Sequence, residues 1–279
     1  MVLSNISCFA KHFGAAAYVF VVGDSSDNTT AILHEWLANG REGRVLEQGR
    51  LEQVEPRRSV RIAAARNMCM QVVRECYGDF DYLIVCDLDQ VLAGPVSHVQ
   101  FGRAVTWLNE DAKRAGVSSN ARPRYYDLWA LRHPRWCPGD VWHTIWDRDP
   151  RQPFEIAKFK QVYKRQIQIP SDALPFRVES AFGGLAVYKL RLVAHAEYIG
   201  LDEQGREQAE HVAFHQGVTS RGGELYIFPP LLVQAPQEHL FDPTNATKWL
   251  KLCLVAHEIG ERWRPLWRSM SHRDPHHLA

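Results

Sequence analysis

The chain lacks any marked excess of charge of one sign. Its 279 residues include 33 Lys and Arg against 32 Asp and Glu, which gives a formal net charge of +1. Proteins that hold nucleic acid through non-specific phosphate contacts usually carry a clear positive excess. We therefore expect no nucleic-acid partner, and any basic surface must be local.

A long hydrophobic segment is also missing near the N-terminus. The longest apolar run there extends from Ala15 to Val22, well short of the roughly 20 residues that span a bilayer. Lys11 comes late for a signal peptide, and Gly23 begins a poor cleavage site. We expect a cytoplasmic protein, and leave open a peripheral association with the inner face of the membrane.

Paired cysteine motifs are absent as well. The six cysteines are scattered and form no C-x-x-C pair, which argues against a zinc knuckle or a redox motif. With 46% hydrophobic and 23% charged residues, the composition is that of an ordinary globular protein. One domain over residues 1–279 is the simplest expectation.

The hydrophobic pattern of the first ninety residues predicts an α/β unit. Ala17–Val22 and Tyr82–Cys86 are continuous apolar runs, typical of strands buried on both faces of a parallel sheet. Between them, helical periodicity predicts one helix that ends near residue 39 and a second over residues 60–77. The order of strand, helix, helix and strand predicts a right-handed parallel unit.

The remaining two thirds of the chain give a less regular pattern. Residues 133–175 are rich in Pro, Trp and charge, and predict a lid or binding region without regular structure. The other predicted elements are a helix over 91–114, a strand over 126–131, a Gly-Gly turn leading into a strand that ends at 188, a helix over 207–219, a strand over 225–228 and a helix over 244–267.

Both predicted N-terminal strands end in acidic loops. Asp24 and Asp27 follow the first strand, and Asp87 and Asp89 follow the second. Ligands of open parallel sheets bind at the carboxyl ends of strands. Two carboxylates separated by one residue offer hard oxygen ligands to Mg²⁺ or Mn²⁺, with positions left for phosphate oxygens and water. The alternative is a solvated turn.

The order of several short motifs resembles a known family. The V-V-G-D-S-S-D-N-T-T loop and the later L-I-V-C-D-L-D, followed by segments 125–132 and 179–188, resemble the glycosyltransferase A fold. They are similar to family-2-like bacterial enzymes and to capsule-associated mannosyltransferases of fungi. The resemblance implies a three-layer α/β/α nucleotide-diphospho-sugar transferase fold with a mainly parallel central sheet.

The same resemblance implies a function. It is that of a metal-dependent enzyme of surface polysaccharide synthesis, which moves a sugar from a nucleotide-sugar donor to a saccharide or lipid-linked acceptor with Mn²⁺ or Mg²⁺. Residues 1–115 would form the half that binds the nucleotide sugar, and residues 116–279 the half that binds the acceptor.

The resemblance also gives roles to residues of the first half. Asp24 and Asp27 would contact the nucleotide base or ribose, Arg66 would shape the pocket near the diphosphate, and Asp87 and Asp89 would hold the cation. Simpler interpretations stand beside two of these. Asp27 also fits a helix cap, and Arg66 also fits an ion pair with a loop carboxylate.

In the second half, the implied residues are two glycines, a glutamate and a histidine. Gly183 and Gly184 would contact donor and acceptor, although a turn or β-bulge explains them too. Glu210 would take the proton of the acceptor hydroxyl in an inverting transfer; a retaining enzyme would not need it as a base, and an exposed helical glutamate is the simple alternative. His239 would join the metal, or lie in a surface loop.

Other functions remain open at this stage. A sugar-nucleotide nucleotidyltransferase would share the acidic site, but we find no Gly-rich phosphate loop of the kind it should carry. A non-catalytic carbohydrate-binding protein is the alternative from outside the enzymes. His211 and His215 share a helix face and could bind zinc, but no third ligand is evident.

Overall fold

The computed structural model describes residues 1–23, 27–49, 51–241 and 255, which form a mixed α/β structure. The strands in this part of the chain are β1 (Ala17–Val22), β2 (Glu42–Glu47), β3 (Tyr82–Cys86), β4 (Arg114–Arg122), β5 (Phe176–Val178), β6 (Leu185–Lys189) and β7 (Glu224–Gln234). The α-helices in the same ranges are α1 (Val2–Ala10), α2 (Thr29–Ala38), α3 (Arg58–Cys76), α4 (His98–Asn109), α5 (Val141–Trp146), α6 (Phe154–Gln161), α7 (Leu190–Val193) and α8 (Glu210–Thr219).

The strands form two separate sheets. β1 and β2 pair in parallel, with Ala17 opposite Glu42. The larger sheet has the order β3-β6-β4-β7-β5. Of its four pairings only β4 with β7 is parallel, and β3–β6, β6–β4 and β7–β5 are antiparallel.

The expectation of a mainly parallel central sheet is therefore not met. The reason lies where β6 begins. The carbonyl of Gly184, directly before β6, accepts the backbone N–H of Asp87 directly after β3, at 3.0 Å. Because β6 starts at the edge where β3 ends, it must run back against its neighbour, and Cys86 lies opposite Leu185.

Local patterns predicted the apolar strands better than the polar ones. β1, β3 and β6 lie where the apolar runs place them, but residues 126–131 form turns and no strand, and β2, β4 and β5 are strands that the pattern did not predict. β4 has a polar sequence, yet its Ser118 and Asn120 are buried and bond to the carbonyls of Ala181 and Ile169. The predicted helix over 244–267 lies outside the described residues except for position 255.

The core covers both faces of the larger sheet, in which β6 is an interior strand between β3 and β4. All five residues of β6 are buried. α3, α8 and the turns after β4 pack on one face, and α4 packs on the other. The carboxyl end of β3, the turn before β6 and the start of α8 consequently meet at one place. Within the described ranges, no helix combines the length and apolar character needed to cross a bilayer.

Candidate active site

The acidic pair after β3 lies at the carboxyl end of the strand, as expected. Asp87 is half-buried and Asp89 is exposed. The carboxylate of Asp89 accepts the N–H of Val91 at 2.9 Å, which caps the short 3₁₀ helix Gln90–Leu92. The backbone after β3 is therefore fixed by its own turn and by the loop before β6.

Arg66, in the middle of α3, joins this pair to the start of α8. Its Nη2 donates to Asp87 Oδ1 at 2.9 Å, and its Nε donates to Glu210 Oε1 at 2.8 Å. The guanidinium stacks over the ring of Phe182, 4.7 Å from its centroid. Its side chain is only 14% exposed, so the two carboxylates supply the counter-charge that a buried cation requires. The ion-pair interpretation of Arg66 is thus confirmed.

The pKa values of the two carboxylates bound by Arg66 are shifted in opposite directions. Burial raises the pKa of Asp87 to about 6, with repulsion from Asp89 and Glu210 adding to the effect and Arg66 opposing it. For Glu210, burial also acts upward, but the hydrogen bond from His211 and the charge of Arg66 outweigh it and hold the pKa below its usual range. Glu210 is therefore the more firmly ionised of the two.

Glu210 is the first residue of α8 and is 6% exposed, so it is not the exposed helical glutamate of the simple alternative. His211 Nδ1 lies 3.0 Å from Glu210 Oε1. Burial and the charge of Arg66 lower the pKa of His211 to about 4, so this histidine is neutral and donates through Nδ1. A general base works best with a pKa near the operating pH. The surroundings of Glu210 favour a counter-ion that positions Arg66.

The Gly183–Gly184 turn lies against the same site. Both residues have positive φ, +67° and +84°. A Cβ at Gly183 would come within 2.9 Å of the carbonyl oxygen of Ser119, and one at Gly184 within 2.5 Å of Val91 Cγ1. Internal packing therefore accounts for both glycines, as the turn interpretation expects.

Asp127 is a site residue that the sequence reasoning did not identify. Its Oδ2 accepts the N–H of Gly183 at 2.9 Å and its Oδ1 accepts that of Ala130 at 3.3 Å. Burial raises the pKa of this carboxyl, and the two amides oppose the shift. The sequence signal for Asp127 is its position within the motif at 125–132. The prediction of a strand over 126–131 hid its role in a turn. Asp127 instead holds the Gly183–Gly184 turn through the backbone N–H of Gly183.

His239 lies on the surface, in the short 3₁₀ helix Gln237–His239. Its ring stacks parallel to that of Tyr126, with centroids 5.5 Å apart. Tyr126 precedes Asp127, so His239 borders the site. The contacts described for it do not join it to Asp87 or Asp89.

A resident cation can be tested against the donor set. In the described ranges, no three His, Cys, Asp or Glu side chains are grouped to hold a metal. Mg²⁺ commonly takes one or two carboxylates and fills its other positions with substrate phosphates and water. Asp87 and Asp89 suit an ion shared with a phosphorylated ligand, and do not form a complete cage.

The loop after β1 is described only in part. Asp24 lies outside the described residues. Asp27 accepts the N–H of Thr29, the first residue of α2, at 2.9 Å, from the position before the N-cap residue Asn28. Beyond the ends of β1 and β2 is a small pocket of about 200 Å³, lined by Gly23, Gln48 and Arg61 among others.

The pair His211 and His215 does not fit a zinc site. Nδ1 of His215 is 2.8 Å from Ser180 Oγ, and Nε2 is 2.9 Å from Tyr188 Oη. Both ring nitrogens are thus engaged within the core, where His215 is fully buried. Its role is structural.

Comparison with known proteins adds no family. A scan against protein-family models and a search of the curated proteins both found no match. The assignment of a function therefore depends on the residues and the geometry of this site.

Proposed function

We propose that this protein is a metal-dependent glycosyltransferase, which moves a sugar from a nucleotide-sugar donor to a saccharide or lipid-linked acceptor. One observation carries the proposal. Asp87 and Asp89 follow the apolar strand β3, and Asp87 pairs with Arg66, which also binds Glu210, beside the turn before β6 at one end of the sheet. This is the end at which α/β proteins bind their ligands.

The cation would be held by Asp87 and Asp89, and when bound it would neutralise the diphosphate of the donor as that group leaves. Arg66 donates a hydrogen bond to one oxygen of Asp87. Glu210 accepts a second hydrogen bond from the same guanidinium and provides its other negative partner. Buried ion pairs with this geometry hold a carboxylate in one orientation. We assign Arg66 and Glu210 to positioning the acidic pair.

The Gly183–Gly184 turn would shape the acceptor side of the site. The backbone N–H of Asp87 binds the carbonyl of Gly184, and the carboxylate of Asp127 binds the N–H of Gly183. The small pocket beyond β1 and β2 would take part of the nucleoside, because it lies at the carboxyl ends of two parallel strands. The proposal includes the three-layer glycosyltransferase A fold and a place in surface polysaccharide synthesis on the cytoplasmic side. These two features rest on the resemblance of the motifs.

The test is the identity of the released product. The full chain is incubated with a panel of nucleotide sugars, with and without Mn²⁺ or Mg²⁺, and the nucleotide products are separated. We expect release of a nucleoside diphosphate that needs the cation and falls at least about 100-fold in Asp87→Asn, in the range found when a charge-stabilising group is removed. Asp172→Asn, at an exposed turn, is the matched control. Pyrophosphate would indicate a nucleotidyltransferase, and no product with any donor would contradict catalysis.

A further inference from the structure

Three aromatic rings form a continuous row on α5 and α6. Trp142 and Trp146 stack with their centroids 6.5 Å apart, and the ring of Phe154, at the start of α6, lies 5.3 Å from that of Trp146. Trp146 is 64% exposed. Single exposed apolar residues are common on protein surfaces. Adjoining rings around an exposed tryptophan form a flat apolar surface of the kind that recognises ligands.

A cation without a counter-ion lies beside this row. The ammonium of Lys158, a half-buried residue, is 6.0 Å from the ring centroid of Trp142 and 5.4 Å from that of Tyr163. Within the described ranges, this ammonium forms no ion pair. The guanidinium of Arg148, over Phe154, instead donates to two backbone carbonyls. Ring faces attract the ammonium of Lys158 but leave its charge unbalanced, so a ligand anion would complete it.

α5 is tied to the segment that leads into α8. His143 Nε2 lies 2.8 Å from the carbonyl oxygen of Glu207. Glu207 precedes Glu210 by three residues, which span at most about 11 Å. Arg206, in the same segment, forms an ion pair with Asp147 in the turn after α5 at 3.2 Å. The row of rings is therefore anchored to the segment that carries Glu210 of the acidic site.

The charges around the rings favour a small ligand over a membrane. Asp147 and Glu155 directly follow Trp146 and Phe154 in the sequence, and both are exposed. Exposed carboxylates repel an anionic lipid surface. They suit a saccharide, because carboxylates accept hydrogen bonds from hydroxyl groups. The C–H groups of a sugar ring are slightly positive and pack on the negative faces of aromatic rings.

We propose that this row, which we call the aromatic platform (Trp142, Trp146, Phe154 and Lys158), binds a saccharide that contains a uronate. A sugar ring packs on Trp146, and the carboxylate of the uronate meets Lys158. A single ammonium matches the single charge of a carboxylate better than that of a phosphate ester, which is about −1.5 to −2. The use of this saccharide as the acceptor rests on the proposed function, whereas its binding does not.

The test measures binding without nucleotide or divalent cation. Tetrasaccharides that contain glucuronate, galacturonate or mannuronate are titrated by calorimetry against the full chain, each beside its carboxyl-reduced form. We expect at least one acidic tetrasaccharide to bind. Its reduced form should bind at least about tenfold more weakly, because the charged contact with Lys158 is lost.

Two positions locate the binding on the aromatic platform. Trp146→Ala should weaken binding at least about tenfold, whereas Trp146→Phe keeps a ring and should retain most of the affinity. Lys158→Gln should make the affinities for the acidic and the reduced forms equal. Lys113→Gln is the matched control, because Lys113 is exposed and precedes β4 at the edge of the sheet opposite the turn before β6. Circular dichroism checks folding, and Lys158→Gln decides alone if Trp146→Ala does not fold.

Several results would overturn the proposal. They are no binding of any acidic tetrasaccharide, equal affinity for the acidic and reduced forms, or unchanged binding in folded Trp146→Ala or in Lys158→Gln. Binding to phosphatidylserine vesicles that is lost in Trp146→Ala, without saccharide binding, would assign the aromatic platform to a membrane instead. Failure to release a nucleoside diphosphate would contradict the proposed function and leave the saccharide titrations unchanged, so the two failures are distinguishable.

Discussion

β3 and β6 are neighbours of similar apolar character, yet their burial differs throughout. Every residue of β6 is buried, and every residue of β3 is half-buried. β6 has a partner strand on each side, whereas in the described part of the chain β3 pairs with β6 alone and its other edge borders a cavity of about 970 Å³. Sequence pattern thus determines that a segment is a strand, while burial depends on whether both of its edges are covered. The following experiments test how far this difference extends.

The largest effect is expected at Arg66, beside the end of β3. Arg66→Gln leaves Asp87 and Glu210 without their shared partner, and breaking a buried pair costs about 3–5 kcal/mol. Urea unfolding measures the loss. Arg206→Gln is the control, because Arg206 forms ion pairs with Asp202 and Asp147 that are more exposed and are worth at most about 1 kcal/mol. Equal losses in the two variants would contradict the structural role of Arg66.

The comparison of the two strands can be made with one residue type. Leu185 in β6 is fully buried, and Leu83 in β3 is half-buried beside the cavity at the edge of that strand. We expect Leu185→Ala to lower the free energy of unfolding by about 3–4 kcal/mol and Leu83→Ala by only about 1–2 kcal/mol, because the cost follows the contacts and cavity left behind. A loss at Leu83 as large as that at Leu185 would show that the open side of β3 is already packed.

The turn that joins the site to β6 should give a smaller effect. Gly184→Ala combines a positive φ with a close approach to Val91, and we expect a loss of about 2–3 kcal/mol. Gly205 also has a positive φ, but open space lies around it. Gly205→Ala should therefore lose only about 1–2 kcal/mol from the backbone. Similar losses of unfolding free energy in Gly184→Ala and Gly205→Ala would mean that the contact with Val91 adds nothing to the cost at Gly184.

The smallest effect is a change of slope with pH. Burial holds the pKa of His215 well below its usual value, and burial with the charge of Arg66 lowers that of His211 to about 4. Below about pH 6.5, both histidines bind protons in the unfolded chain but not in the folded chain. Stability should therefore fall as the pH drops from about 6.5 towards 4, by at most about 1.4 kcal/mol per pH unit for each histidine.

The raised pKa of Asp87 opposes this trend below about pH 6, and the lowered pKa of Glu210 adds to it near the acid end. Unfolding free energies from urea titrations at several pH values measure the slope. His215→Gln should reduce the slope of stability with pH by up to about 1.4 kcal/mol per pH unit, which corresponds to one proton. His34→Gln, at an exposed position of α2, should leave the slope unchanged. An unchanged slope in His215→Gln would mean that His215 binds protons equally in the folded and unfolded states, and would contradict its lowered pKa.

The sequence predicted those parts of the fold in which local pattern and tertiary environment agree. The apolar runs of β1 and β3 and the helical periodicity of α3 each identified the right element. β4 was missed because its polar residues have partners far along the chain, as Asn120 has in Ile169 and Pro229. No local pattern records such partners.

The same limit applied to the site. The acidic pair could be placed because a strand end is a local feature. The ion pairs of Arg66 with Asp87 and with Glu210 span 21 and 144 positions, so the sequence indicates the three residues but not which of them pair. Asp127 was missed because a turn was interpreted as a strand, which hid the contact with Gly183.

The most direct test of the proposed function is nucleotide binding that depends on the cation. Titration calorimetry would measure the affinity for nucleoside diphosphates with and without Mn²⁺, in the unmodified chain, Asp87→Asn and Asp172→Asn. We predict that Mn²⁺ tightens binding at least about tenfold, or ~1.4 kcal/mol, and that this gain is lost in Asp87→Asn and kept in Asp172→Asn. Binding that is absent, or equally strong with Mn²⁺ in Asp87→Asn, would contradict the account.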